Sequence, residues 1–248
     1  MSNEILQTPR WGNSHRDRKA AGILRTLKLK CGEDVCAGSW LDVGCGSGAI
    51  AASLAPYVDA ISGIDPEPWL QWRDFVSSAA NLKFNVGFFD GDVLPVLENS
   101  FDVVVCNQVY EHADRPDLLI QNIAAVLKPG GVCYFAGPNL LWPIEPHVLW
   151  PFVHWLPRRT AQFLMRILGS NKACELDAFS THYFQLHRWF QAAGLNSENA
   201  VTERLAGVFR SDPTSKNCLI SNPITQVLTR FLVPFLPGFV FILSKENE

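Results

Sequence analysis

Trp40-Leu41-Asp42-Val43-Gly44-Cys45-Gly46-Ser47-Gly48-Ala49 decides the fold. A short apolar run ends in three glycines at alternate positions, and an alanine-rich segment from Ala49 to Leu54 follows. That order reads as strand, tight loop and helix. Downstream, Ala60-Ile61-Ser62-Gly63-Ile64 forms a second strand ending at Asp65-Pro66. Pro66 has no N–H to donate and suits the first turn of a helix to about Ala80.

A third strand spans Leu82 to Phe88, ahead of a turn at Asp90-Gly91-Asp92. Phe101-Asp102-Val103-Val104-Val105-Cys106 is nearly continuous in apolar residues, as a strand covered on both faces must be. Asp114 is placed to cap a helix that reaches Leu127, where Lys128-Pro129-Gly130-Gly131 stops it. Val132 to Ala136 is the fifth strand, and Gly238 to Leu243 the last. Further helices are expected up to Leu168 and from His182 to Ala193. The alternation gives an α/β fold: a Rossmann-like, doubly wound, mostly parallel seven-stranded sheet with helices on both faces and an antiparallel C-terminal strand.

The 248 residues suffice for one domain with a full core. We expect an N-terminal helical cap over 1–37 and a cofactor-binding core over 38–137. An acceptor-side insertion over 138–182 and C-terminal helices and strands over 183–248 complete it. A net charge of -3 argues against a nucleic-acid partner. Seven cysteines without a CxxC pair argue against a structural zinc and fit a reduced, cytoplasmic setting. The N-terminus lacks the apolar stretch of a signal peptide, and the apolar run from Phe231 to Leu243 is too short to span a bilayer.

The glycine loop satisfies both the dinucleotide pattern G-x-G-x-x-G/A and G-x-G-x-G. Asp65 stands where a ribose hydroxyl is bound in either case. Asp42 separates the two. A carboxylate just ahead of the glycines suits an ammonium group and opposes a pyrophosphate. Asp90 and Asp92 add acids where an adenine amino group is read.

Leu41-Asp42-Val43-Gly44-Cys45-Gly46-Ser47-Gly48, then Gly63-Ile64-Asp65, Phe101-Asp102-Val103-Val104 and Leu127-Lys128-Pro129-Gly130-Gly131 resemble the class I S-adenosylmethionine-dependent methyltransferases. The likeness is to the subgroup of ubiquinone-biosynthesis and small-molecule enzymes, and it spans roughly residues 38 to 137. It implies S-adenosylmethionine as cofactor, with Asp42 and the loop Gly44, Cys45, Gly46 and Gly48 near its methionine and ribose parts. Asp65, with Pro66 beside it, would hold the ribose hydroxyls. Asp90, or else Asp92, would read adenine with the Gly91 N–H, and Asn107 and Gln108 would line the methionine side.

Methyl transfer from a sulfonium needs alignment, exclusion of water and, for an oxygen acceptor, removal of a proton. His112, in Tyr110-Glu111-His112 after the fourth strand, is one candidate base, or else a cap for the next helix. Gln108 stands where a metal-binding member of the resembling subgroup has an acid, so no metal is expected. Glu145 and His147, in the proline- and tryptophan-rich stretch from Pro138 to Arg159, form a second candidate acid/base pair, or else part of an aromatic cap. Arg16 or Arg18 could meet the methionine carboxylate. The tryptophans, Arg158 and Arg159 also suit a membrane interface, which makes a lipid-linked acceptor an alternative to a free small molecule. An NAD(P)-dependent oxidoreductase and a non-catalytic binding protein stay open on these residues; a nucleic-acid methyltransferase is disfavoured by charge.

Overall fold

Residues along a strand point alternately to its two faces, and here both faces are apolar. In β1 (Ser39–Val43), Leu41 and Val43 join one core and Trp40 the other. In β4 (Phe101–Asn107), Val104 and Cys106 face the first core and Val103 and Val105 the second. The computed structural model describes residues 15–145, 148–173, 176, 180–210 and 232–246.

Helices close both layers. Ile23 and Leu27 of α1 (Arg16–Cys31) and Ile50 and Leu54 of α2 (Ala49–Leu54) cover one face. Leu119, Ile120 and Ile123 of α4 (Pro116–Val126), with Leu186 and Phe190 of α6 (Tyr183–Ala192), cover the other. Between these lie β2 (Ala60–Asp65), α3 (Gln71–Ser78), β3 (Leu82–Val86), β5 (Leu127–Pro138) and α5 (Arg158–Ile167). β6 (Leu195–Asn199), α7 (Val201–Arg210) and β7 (Gly238–Lys245) finish the chain order.

The seven strands run β3-β2-β1-β4-β5-β7-β6. Pairs among β1 to β5 are parallel, whereas β7 is antiparallel to both β5 and β6. The chain moves outward from β1 to β3 and then returns to β4 on the other side of β1. Such a reversal leaves a crevice beyond the carboxyl ends of β1 and β4.

Three expected boundaries shift. α3 starts at Gln71 rather than at Pro66, because Pro68 pushes Glu67 out of the helical region and Asp65 ties down the intervening turn. The residue flanking α4 is Arg115, not Asp114; the Asp114 N–H donates to the Asp90 carboxylate at 2.8 Å instead. β5 begins at Leu127 and absorbs Lys128-Pro129-Gly130-Gly131 as an irregularity between its pairings with Phe101 and Val103. Among the described residues no helix is long and apolar enough to cross a membrane.

Candidate active site

Beyond β1 the backbone turns on glycines with positive φ. Gly46 and Gly48 stand at 52° and 81°, where a side chain is strained. A Cβ on Gly48 would lie 2.5 Å from the Phe84 ring, whereas one on Gly46 would meet nothing within 4 Å. Gly48 is therefore packed and Gly46 faces open space. The Cys45 N–H donates to the Ile64 carbonyl (3.0 Å) and the Gly46 N–H to Asp65 Oδ2 (2.8 Å). The Gly46 carbonyl accepts from Trp72 Nε1 at 2.9 Å, and Trp72 stacks on Phe84 with centroids 5.0 Å apart.

The loop forms one wall of a cavity of about 590 Å³ in the crevice, within the usual size range of small-molecule sites. Gly44, Gly46, Asp65, Pro66, Asp90, Asn107, Gln108 and His112 line it. Asp42, Cys45, Gly48 and Gly91, expected at the cofactor, lie outside that lining. The Gly91 carbonyl accepts from Asn122 Nδ2 at 2.9 Å. Burial pushes the Cys45 thiol up, as does the nearby Asp42, so it stays protonated.

Asp42 is 2% exposed, and its Oδ2 has no hydrogen-bond partner among the described residues. Burial raises its pKa to about 7; Arg16 opposes the shift and Asp65 adds to it. An orphaned buried carboxylate oxygen is costly, and a cation arriving in the adjoining cavity would relieve it. Asp65 Oδ1 accepts from the Glu67 N–H (3.1 Å) and Trp69 Nε1 (3.3 Å). With Gly46, three of the roughly four acceptor positions of that carboxylate are used, which leaves room for a ligand hydroxyl.

The structure also separates the two acids after β3. Asp90 lines the cavity beside Phe88 and Phe89; Asp92 turns outward and pairs with Arg115 at 3.1 Å. At the end of β4, Gln108 holds a φ of 60° and donates its N–H to the Ala136 carbonyl at 2.8 Å. A non-glycine residue in that region stores strain, a state common at ligand clamps.

His112 is exposed at the cavity on a short turn, while Glu111 and Tyr110 beside it are buried. Burial, and then Glu111, push the Tyr110 hydroxyl up, and that hydroxyl donates to the Pro138 carbonyl. Glu145 is buried away from the cavity lining, and its Oε2 accepts from the Val148 N–H at 2.7 Å. His147 lies outside the described residues. Of the two arginines named for a carboxylate, Arg16 reaches the cavity and Arg18 does not.

A second cavity of about 370 Å³ shares Lys19, Asn107 and Gln108 with the first. Arg204 of α7, Leu205, Leu236 and Phe239 are among its walls. Sequence reasoning missed Lys19 and Arg204. Lys19 reads as part of a solvated charge run, although its i, i+3 spacing from Arg16 sets both on one helix face. Arg204 belongs to a helix that the sequence pattern did not announce.

Residues 13–199 match the methyltransferase domain family. A ubiquinone biosynthesis O-methyltransferase from Bordetella bronchiseptica is 28% identical over 230 residues, covering 88% of this chain and 82% of that protein. Among solved structures, the cyclase SpnF aligns over 100% of this chain and 90% of its own, with a TM-score of 0.57 and 17% identity. A Burkholderia thailandensis 1,6-didemethyltoxoflavin N1-methyltransferase with bound S-adenosylhomocysteine aligns over 95% and 80%, with a TM-score of 0.53 and 14% identity. Similarities at that level of identity speak for the fold.

Proposed function

The chain belongs to the methyltransferase domain family and is an S-adenosylmethionine-dependent methyltransferase, and on that premise we propose that it methylates an oxygen of a small, largely apolar acceptor. The orphaned Asp42 oxygen behind the first cavity carries this reading, because it calls for a cationic ligand and opposes a pyrophosphate. S-adenosylmethionine, when bound, supplies a methyl group on a cationic sulfur that departs as a neutral thioether.

The chain's own residues then have distinct tasks. Asp65 binds ribose hydroxyls and Asp90 an adenine amino group, with Phe88 and Phe89 as the apolar wall for the ring. The loop from Gly44 to Gly48 leaves the backbone close to the ligand. Asp42 faces the ammonium, and Arg16 the methionine carboxylate. Asn107 and Gln108, common to both cavities, mark where donor and acceptor meet. His112 takes the proton of the acceptor hydroxyl. The commitment of Glu145 Oε2 to Val148 favours His112 over the Glu145 and His147 pair.

Oxygen is favoured by the named reaction of the Bordetella relative. A membrane surface is a second feature of the proposal, on the strength of α5. Phe163 and Ile167, four residues apart, are 63% and 64% exposed, and Trp155 and Leu168 add apolar surface nearby. Arg159 and Arg166, seven residues apart, run along one side of that face. An apolar stripe with a basic edge suits an anionic bilayer surface, from which a lipid-linked acceptor would be drawn.

Purified protein incubated with methyl-labelled S-adenosylmethionine and fractionated cell extract tests the function. Label is expected in an organic-soluble small molecule, as an ether resistant to mild base. Heat of binding with a nicotinamide dinucleotide and none with S-adenosylmethionine would overturn it.

A further inference from the structure

Gly22 sits in the middle of α1, where glycine weakens a helix relative to alanine. A Cβ at this position would lie 1.3 Å from Arg204 Nη1 and 2.5 Å from Arg204 Cζ. The missing side chain is the slot in which the guanidinium of α7 rests against α1. Arg204 Nη1 is buried there without a hydrogen-bond partner among the described residues. Among the described residues, neither Arg204 nor Lys19 has a carboxylate within ion-pair distance.

Lys19 lies one turn before Gly22 on the same helix face and lines the second cavity with Arg204. Burial, then Arg16 and Arg204, lower its ammonium pKa, so the fold gathers like charges here. No aspartate or glutamate lines this cavity among the described residues. Its other walls are mainly apolar, with Leu205, Leu236, Pro237 and Phe239 among them. Arg16 lines only the first cavity and Arg204 only the second, so two carboxylate-sized anions have separate cations.

Resting on the methyltransferase reading above, we infer that Lys19 and Arg204 bind an anionic group, a carboxylate or a phosphate, carried by an otherwise apolar acceptor in the second cavity. The anion satisfies the two cations, the apolar walls take the hydrocarbon, and the shared wall of Asn107 and Gln108 brings the acceptor to the first cavity. A neutral acceptor would leave buried guanidinium hydrogens unmatched, and such a mismatch is what makes polar pockets selective.

Calorimetric titration of the protein, with and without saturating S-adenosylhomocysteine, tests this with octanoate, octyl phosphate and octanol. At least one anion should bind tenfold or more tightly than octanol, and comparing the two anions identifies the group. Gly22→Ala, whose methyl displaces the guanidinium while favouring the helix, and Arg204→Gln should each remove that preference. Both should keep S-adenosylhomocysteine affinity within twofold, and Arg204→Lys should retain part of the preference. Equal affinity for all three probes, or binding of none, overturns the inference. So does a parallel loss of S-adenosylhomocysteine affinity in the variants, since the guanidinium would then serve the cofactor. Failure of the unaltered protein to bind S-adenosylhomocysteine counts against the methyltransferase reading, while the arm without it still reads the anion preference.

Discussion

Asp65 accepts the Gly46 N–H at 2.8 Å, so the carboxylate ending β2 fixes the loop that follows β1. One side chain thereby sets the shape of the wall and, as proposed, keeps its remaining acceptor position for a ribose hydroxyl. Charge-assisted hydrogen bonds contribute about 1.5–3 kcal/mol each. Asp65→Ala should weaken S-adenosylhomocysteine binding by roughly 10- to 100-fold, read by calorimetry, and Asp65→Asn by less. Unchanged affinity in Asp65→Ala would remove this residue from the ribose site.

If Asp42 serves the cofactor as proposed, binding there should depend on pH. Its pKa near 7 in the folded chain lies above the ordinary 3.8, so between about pH 4 and 7 the folded state holds a proton that the unfolded state has lost. Stability of the ligand-free protein therefore falls as pH rises through that window. The total is about three pKa units, on the order of 4 kcal/mol. Asp42→Asn should melt higher than the unaltered protein at pH 8 and about equally at pH 4. A bound cation favours ionised Asp42, so S-adenosylmethionine affinity should rise from pH 6 to pH 8 with release of a proton. Calorimetry in buffers of different ionisation heat would detect that proton, and Asp42→Asn should abolish it along with most of the affinity.

Gly46 and Gly48 should respond differently to the same added methyl. Gly48→Ala combines positive φ with an overlap against Phe84, which Trp72 holds in place. A loss of about 2–4 kcal/mol in denaturant unfolding is expected. Gly46→Ala has only the backbone strain, about 1–2 kcal/mol, but its methyl enters the cavity. It should lose more in S-adenosylhomocysteine affinity than in stability. The reverse ranking would mean that the loop does not contact the ligand.

The exposed face of α5 predicts salt-sensitive attachment to anionic vesicles. Phe163→Glu with Ile167→Glu should abolish co-flotation with phosphatidylglycerol vesicles without lowering the melting temperature, because both side chains are exposed. No co-flotation of the unaltered chain at physiological salt would end the membrane proposal.

Much of the centre of the sheet was readable because its strands are apolar and its loop is marked by glycine. The motif around Phe101-Asp102 and Lys128-Pro129-Gly130-Gly131 turned out to do structural work. Asp102 accepts from Lys128 Nζ and from the Ser39 N–H, both at 2.7 Å, so three strands meet at one carboxylate at the edge away from the cavity. Burial alone would raise its pKa, but Lys128 and the Ser39 amide outweigh it and hold the carboxyl low. β6 escaped notice because Leu-Asn-Ser-Glu-Asn is polar, with only Leu195 buried, and its pairing with β7 spans a long stretch of chain. Which of Asp90 and Asp92 reaches the cavity was equally illegible: the two are two residues apart, and only the turn's path decides which faces inward.

The placement of β7 between β5 and β6 has a consequence for biosynthesis. β6 emerges from the ribosome with no neighbour to join, and one margin of β5 stays unzipped until residues 238–245 have been made. A nascent chain halted before that point presents an open, hydrophobic margin to chaperones and to other nascent chains. This end of the sheet, β5-β7-β6, therefore assembles out of chain order, its middle strand arriving last.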